Sequence, residues 1–160
     1  MCQVYNQDTA LKPIIKWPGG KEKELEFIFP NAPTKINNYY EPFVGGGAML
    51  FFMLQNFNNI RKAIINDINE DLILTYRTIK DDVEALITVL TKIERRYLST
   101  EGQEARSAMF YEIRDSFNEH EGNDIIRAAQ LIFLNKTCFN GLYRVNRKGF
   151  YNVPFGKYAN

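Results

Sequence analysis

Apolar and polar positions change rhythm along this chain. Residues 35–40 and 62–66 are short runs of strand-forming residues, and the second leads directly into Asp67. Between them, residues 48–54 are apolar throughout and follow three glycines, which predicts a buried helix opening at a tight turn. Further on, residues 72–79 and 83–97 place apolar side chains three and four apart, the spacing of a helix face. Residues 107–117 and 125–136 read the same way. Nearer the start, residues 12–20 read as an extended segment ending in a turn. Residues 21–29 read as a short helix stopped by Pro30 and Pro33. Residues 137–160 carry Gly141, Gly149, Pro154 and Gly156 and read as a long loop or hairpin, the kind of element that carries recognition. No repeat and no low-complexity tract interrupts the pattern.

The strand–glycine–helix succession is the first chemical signal. Glu41-Pro42-Phe43-Val44-Gly45-Gly46-Gly47 brings the chain out of a strand, past an acid and into the apolar helix. Such a turn lets a cofactor approach the backbone, because glycine tolerates positive φ and carries no Cβ. Asp67 follows about 20 residues later, the spacing at which a carboxylate can accept hydrogen bonds from ribose hydroxyls. The strict dinucleotide pattern is not met, since Leu50 stands where its third glycine belongs, and no Gly-Lys-Ser/Thr follows. Two readings therefore remain open: an adenosine-type cofactor site, or a tight turn that only caps a helix.

Composition narrows the class. With 160 residues, 45% of them hydrophobic, the chain has enough for one sizeable core. No apolar run is long enough to span a membrane, and the N-terminus lacks the pattern of a signal peptide. Cys2 and Cys138 define no disulfide framework, and the lone His120 leaves little scope for a zinc cluster or a histidine-based triad. A reduced, cytoplasmic protein without a metal is expected. The net charge of +1 hides an asymmetry: residues 125–160 contain Arg127, Lys136, Arg144, Arg147, Lys148 and Lys157 and no acid, so that segment is +6 and the rest −5. Phe139, Tyr143, Phe150, Tyr151, Phe155 and Tyr158 are interleaved with those cations, a mixture suited to phosphates and bases together.

Several motifs in order then point to one family. Lys16-Trp17-Pro18-Gly19-Gly20-Lys21, the Glu41–Gly47 run, Asn66-Asp67-Ile68-Asn69, Phe139-Asn140-Gly141-Leu142-Tyr143-Arg144-Val145-Asn146 and Phe150-Tyr151-Asn152-Val153-Pro154-Phe155-Gly156-Lys157-Tyr158 resemble the Dam-type (D12 class) adenine-specific DNA methyltransferases. The resemblance covers nearly the whole chain. It implies an α/β fold, a Rossmann-like S-adenosylmethionine-dependent methyltransferase sheet with a helical and hairpin DNA-recognition insertion. Residues 1–80 would form the cofactor-binding part and residues 81–160 the target-recognition region. Trp17, Lys21, Glu41, Phe43, Gly45 and Asp67 would bind S-adenosylmethionine, with Lys21 suited to its carboxylate and Asp67 to its ribose. Lys16, Phe139, Asn140, Leu142, Arg144, Pro154 and Lys157 would meet double-stranded DNA, with Phe139 wedged into the base stack and Arg144 reading guanine. A GATC-like site is the expected target.

One departure matters. The family's catalytic Asp-Pro-Pro-Tyr run is missing, and the sequence contains no Pro-Pro pair at all. No catalytic residue is therefore assigned. The expected chain is a truncated gene product, a fragment or half of a split enzyme, inactive alone and prone to self-associate or to need a complementing chain. The alternative is a catalytically dead module that holds S-adenosylmethionine and DNA.

Overall fold

The structure, a computed structural model, describes residues 11–156. The chain divides into two compact units, residues 1–68 and 69–160.

In the first unit, helix α1 (Leu25–Ile28) runs on into a 3-10 turn (Phe29–Asn31). The α-helix ends at Ile28, before Pro30 as expected; Pro30 sits in the first turn of the 3-10 element that follows, where its missing N–H costs nothing. Strand β1 (Asn38–Glu41), helix α2 (Ala48–Asn56) and strand β2 (Lys62–Ile65) follow. The strands pair in parallel, Asn38 beside Lys62 through Glu41 beside Ile65. The ladder continues past β1 and β2: the Asn66 amide donates to the Glu41 carbonyl at 2.8 Å, and the Val44 amide to the Asn66 carbonyl at 2.9 Å. That extension carries Asp67 alongside the glycine turn.

The core of this unit gathers Leu25, Phe52, Met53 and Phe57, with Phe29 edge-on to the Phe52 ring at 5.3 Å. Helix α2 is apolar from Ala48 to Leu54 and buries Ala48, Leu50, Phe52 and Met53. Gly47 opens it in the left-handed region, φ 84°, and no side chain caps its N-terminus. Two strands make a small sheet, and it leaves Tyr40 61% and Ile64 39% exposed.

The second unit is helical, with a hairpin. It comprises α3 (Glu70–Asp81), α4 (Val83–Ser99), α5 (Gln103–Asn118) and α6 (Asp124–Thr137), then a 3-10 turn (Phe139–Gly141). Asn69 and Asn123 cap α3 and α6, accepting from the amides of Leu72 at 2.8 Å and Ile126 at 3.0 Å. Each of these four helices is longer than the apolar period indicates, because polar residues at the ends extend it beyond the core-facing positions. Helix α6 is central: residues 128–135 are all buried, and it packs against α3, α4 and α5.

Helices plus a small parallel sheet give the incomplete α/β arrangement expected of a methyltransferase fold. No helix among the described residues is long and apolar enough to cross a membrane.

The segment before α1 lies over the glycine turn. A Cβ built on Gly46 would stand 2.8 Å from the Ile15 carbonyl oxygen, and one on Gly45 would stand 3.1 Å from Trp17 Cδ1. Gly46→Ala is therefore expected to destabilise the fold by about 1–3 kcal/mol, the usual cost of overpacking, read as a shift of the denaturant midpoint.

Candidate functional site

A cleft of about 280 Å³ opens in the first unit. Three stretches far apart in sequence build its walls. The turn before α1 supplies Trp17 and Lys21, the end of β1 and the glycine turn supply Glu41, Phe43 and Gly45, and the end of β2 supplies Asp67. These are the six residues singled out in the sequence, and all six line this one cleft. Lys21 precedes α1 rather than opening it, because the helix begins at Leu25. Phe43 is 79% exposed and stands at the rim.

Local physics explains the arrangement. Asp67 Oδ2 accepts a hydrogen bond from the Gly45 amide at 3.0 Å, tying the carboxylate to the turn. Gly45 has φ 51° and Gly47 φ 84°, both left-handed, so the turn needs glycine at these points. Gly46 serves another need, the close passage of the Ile15 carbonyl. Ala48 and Met49, the first residues of α2, also line the cleft. The positive end of that helix dipole therefore faces it, with no acid in the first turn to offset it.

Glu41 is half-buried, and desolvation pushes its carboxyl above the ordinary carboxylate range. The Tyr39 hydroxyl donates to Glu41 Oε2 at 2.7 Å and works in the opposite direction, favouring the ionised form. Burial and the neighbouring carboxylate together push the Tyr39 hydroxyl upward as well, so it remains a donor. Tyr39 was missed in the sequence. Its signal was the alternation of a strand, which puts residues 39 and 41 on one face.

The second unit carries the basic hairpin. Antiparallel bridges pair Cys138 with Phe155 and Val145 with Tyr151. Asn146 Oδ1 accepts from the amides of Lys148 at 2.8 Å and Phe150 at 3.1 Å and so shapes the tip. The base of the hairpin is held from inside. Tyr151 is buried, its backbone clamped by Asn118, whose amide accepts from the Tyr151 N–H at 2.7 Å and donates to its carbonyl at 3.1 Å. The outer surface presents Phe139, Asn140, Leu142, Arg144 and Pro154, all exposed. Asn140 adopts φ 56°, a left-handed conformation that asparagine tolerates better than most residues. The Arg144 guanidinium donates from Nε to Asn152 Oδ1 at 2.7 Å and from Nη2 to the Asn152 carbonyl at 3.2 Å. Lys16 is exposed and belongs to the first unit. Lys157 lies outside the described residues.

The structure corrects the charge reading in two ways. Arg127 is not a surface cation: its side chain is 14% exposed and ion-paired with Asp71 at 2.7 Å. Among the aromatics, Phe139 and Phe150 are exposed by 51% and 44%, whereas Tyr151 is buried against Phe117 and Tyr143. Interleaving in sequence therefore marks core and surface alternately.

Comparison with known proteins agrees with the motifs. Residues 17–160 match the family described as D12 class N6 adenine-specific DNA methyltransferase. The "Type II methyltransferase M.MjaIII" of Methanocaldococcus jannaschii is 48% identical over 94% of this chain and 54% of that protein. The "Type II methyltransferase M1.LlaDCHI" of Lactococcus lactis subsp. cremoris is 39% identical over 100% of this chain and 53% of that protein. A "DNA adenine methylase" of Haemophilus influenzae is 35% identical over 92% of this chain and 48% of that protein. The chain thus spans about half the length of these curated relatives.

Tyr39→Phe removes the donor that favours ionised Glu41 while leaving the ring in place. The Glu41 carboxyl should then titrate at higher pH than in the unmodified protein, followed by the carboxyl carbon shift in NMR. A midpoint that stays put or falls would show that the hydroxyl does not stabilise the carboxylate.

Proposed function

Because the chain belongs to the D12 class N6 adenine-specific DNA methyltransferases, we propose that its cleft binds S-adenosylmethionine and its hairpin reads double-stranded DNA, in the service of site-specific methylation of adenine N6. The observation that carries this reading is the convergence of three separated motif segments on one cleft. On this reading the two strands belong to a larger Rossmann-like sheet, residues 1–80 serve the cofactor and residues 81–160 the target.

The chemistry of the lining fits an amino-acid-bearing nucleoside. Lys21 and the α2 N-terminus attract the methionine carboxylate, and ionised Glu41 attracts the ammonium. Asp67, fixed by the Gly45 amide, accepts from ribose hydroxyls. Trp17 and Phe43 offer apolar surface to the rest of the ligand. The bound cofactor would supply a methyl group activated by its sulfonium. On the hairpin, Phe139 wedges into the stack, Asn140, Leu142 and Arg144 face base edges, Pro154 follows the returning arm, and Lys16 and Lys157 also meet the DNA. A GATC-like sequence is the proposed target.

Methylation at N6 needs one more element. The N6 lone pair is delocalised into the ring, so acceptors must draw on both N–H hydrogens before it can attack. An Asp side chain and a Pro carbonyl of an Asp-Pro-Pro-Tyr run would do this, and the run is absent from these 160 residues. Methyl transfer therefore requires those acceptors from outside this sequence, because binding alone does not stabilise the transition state differentially.

Calorimetric titration with S-adenosylmethionine should give saturable one-to-one binding. Asp67→Ala should weaken it at least tenfold, on the order of one lost charge-assisted hydrogen bond. Unchanged affinity in that variant refutes the cofactor assignment.

For DNA, Arg144→Ala is expected to cost about 1–3 kcal/mol on the preferred sequence and to relax preference at one base. Lys148→Ala should weaken all duplexes alike and flatten the salt dependence. Equal losses on preferred and random duplexes for both variants would remove Arg144 from base reading.

A further inference from the structure

Arg144 does not stand alone on the hairpin. Its Nε–H donates to Asn152 Oδ1 at 2.7 Å and one Nη2–H to the Asn152 carbonyl at 3.2 Å. A guanidinium has five N–H groups in a rigid plane. These two contacts occupy the edge formed by Nε and Nη2. They leave the end edge, one hydrogen each from Nη1 and Nη2, as a parallel fork. That fork matches O6 and N7 of guanine in the major groove.

The holder is rigid. Asn152 lies between Tyr151 and Val153, which are 1% and 2% exposed, and its own amide donates to the Arg144 carbonyl at 3.0 Å. Tyr151 is clamped on both sides of its peptide by Asn118. The residue that bears the acceptor facing Nε is therefore tied down through its own backbone and that of its neighbour Tyr151.

The holder is also neutral. Residues 125–160 contain no Asp or Glu. An amide oxygen orients the guanidinium without cancelling its charge, whereas a carboxylate would do both.

We infer that Asn152 is a positioning residue for base discrimination: it pins the side edge of Arg144 so that the end edge is presented to one guanine. This rests on the reading that Arg144 faces DNA bases. Preorganisation of this kind changes selectivity more than total affinity, because non-specific binding depends on charge that Asn152 does not alter.

The test selects a pool of short duplexes, randomised over a central stretch, on the protein at fixed salt and sequences the bound fraction. A completely random duplex of the same length measures non-specific affinity. The unmodified protein should enrich guanine at one position, and Arg144→Ala should flatten that enrichment. Asn152→Ala should reduce the same enrichment about tenfold, the scale of one bidentate contact, while random-duplex affinity changes less than about twofold. Asn152→Asp keeps the acceptor, so it should restore the enrichment and lower affinity for every sequence through its added charge. Thermal melts of both variants check that the hairpin stays folded.

Asn152→Ala that keeps the enrichment, or loses affinity equally on all duplexes, overturns the inference alone, provided Arg144→Ala still flattens the preference. If Arg144→Ala also leaves the preference intact, or the unmodified protein binds no duplex, the underlying reading falls and this inference with it. Failure of Asn152→Asp to restore enrichment in a folded protein also counts against positioning through the side-chain oxygen.

Discussion

Arg127 is the point on which the second unit depends. Its Nε and Nη2 both reach Asp71 Oδ1 at 2.7 Å, its Nη1 donates to the Phe117 carbonyl at 2.8 Å, and its guanidinium lies 4.3 Å from the Phe117 ring centre. One side chain on α6 thus engages α3 and α5 together. The Tyr143 hydroxyl donates to the other Asp71 oxygen at 3.4 Å, which brings the start of the hairpin into the same network. With both partners mostly shielded, this pair differs from the exposed Arg96–Glu112 bridge, whose side chains are 54% and 59% exposed. An exposed pair adds little, whereas removing one member of a shielded pair strands the other charge. The hairpin is therefore anchored by polar geometry at its base as well as by the rings packed around Tyr151.

The first unit solves a different problem, passing three chain segments close together around an open cleft. Its three consecutive glycines do different things. Gly45 and Gly47 supply left-handed turns, and Gly46 lets the Ile15 carbonyl pass. The cost appears at Glu41. Its carboxyl sits above the usual range because burial disfavours the charge. A raised carboxyl value in the folded state means stability is full below the unfolded value and is lost as pH rises through the folded one. Ionising Glu41 is therefore disfavoured by the burial that the fold imposes on it. A cation arriving in the cleft would relieve that cost, which is how a site keeps affinity in reserve for its ligand.

Much of this was legible in the sequence, for identifiable reasons. The cleft residues were found because a strand, a glycine turn and an acid at the next strand end form a pattern with its own physical logic, and motif order placed Trp17 and Lys21 beside it. Helices were found from period and misjudged only at their ends, where Asn69 and Asn123 act through caps rather than burial. Pro30 was read as a stop because proline forbids a helix interior, and α1 does end before it, at Ile28; what that rule leaves out is the 3-10 turn that accepts the proline in its first turn. Charge and aromatic counts misled most. A count cannot tell that Arg127 is spent on Asp71, or that Tyr151 faces inward while its neighbour Phe150 faces out.

Those misreadings expose how the hairpin is built. Several of its exposed side chains stand on backbone that is held by hydrogen bonds across the hairpin. Leu142 is exposed while its carbonyl accepts from the buried Tyr151 hydroxyl at 3.0 Å. Arg144 is exposed while Asn152, seated between two core residues, holds its guanidinium. Phe139 is exposed while its amide donates to the Pro154 carbonyl at 2.9 Å. A flexible basic loop would serve charge attraction equally well, since phosphate attraction needs proximity and not orientation. Base discrimination needs donors fixed in direction. The anchoring of backbone beneath exposed side chains is therefore an argument for reading sequence, and not merely for gripping a polyanion.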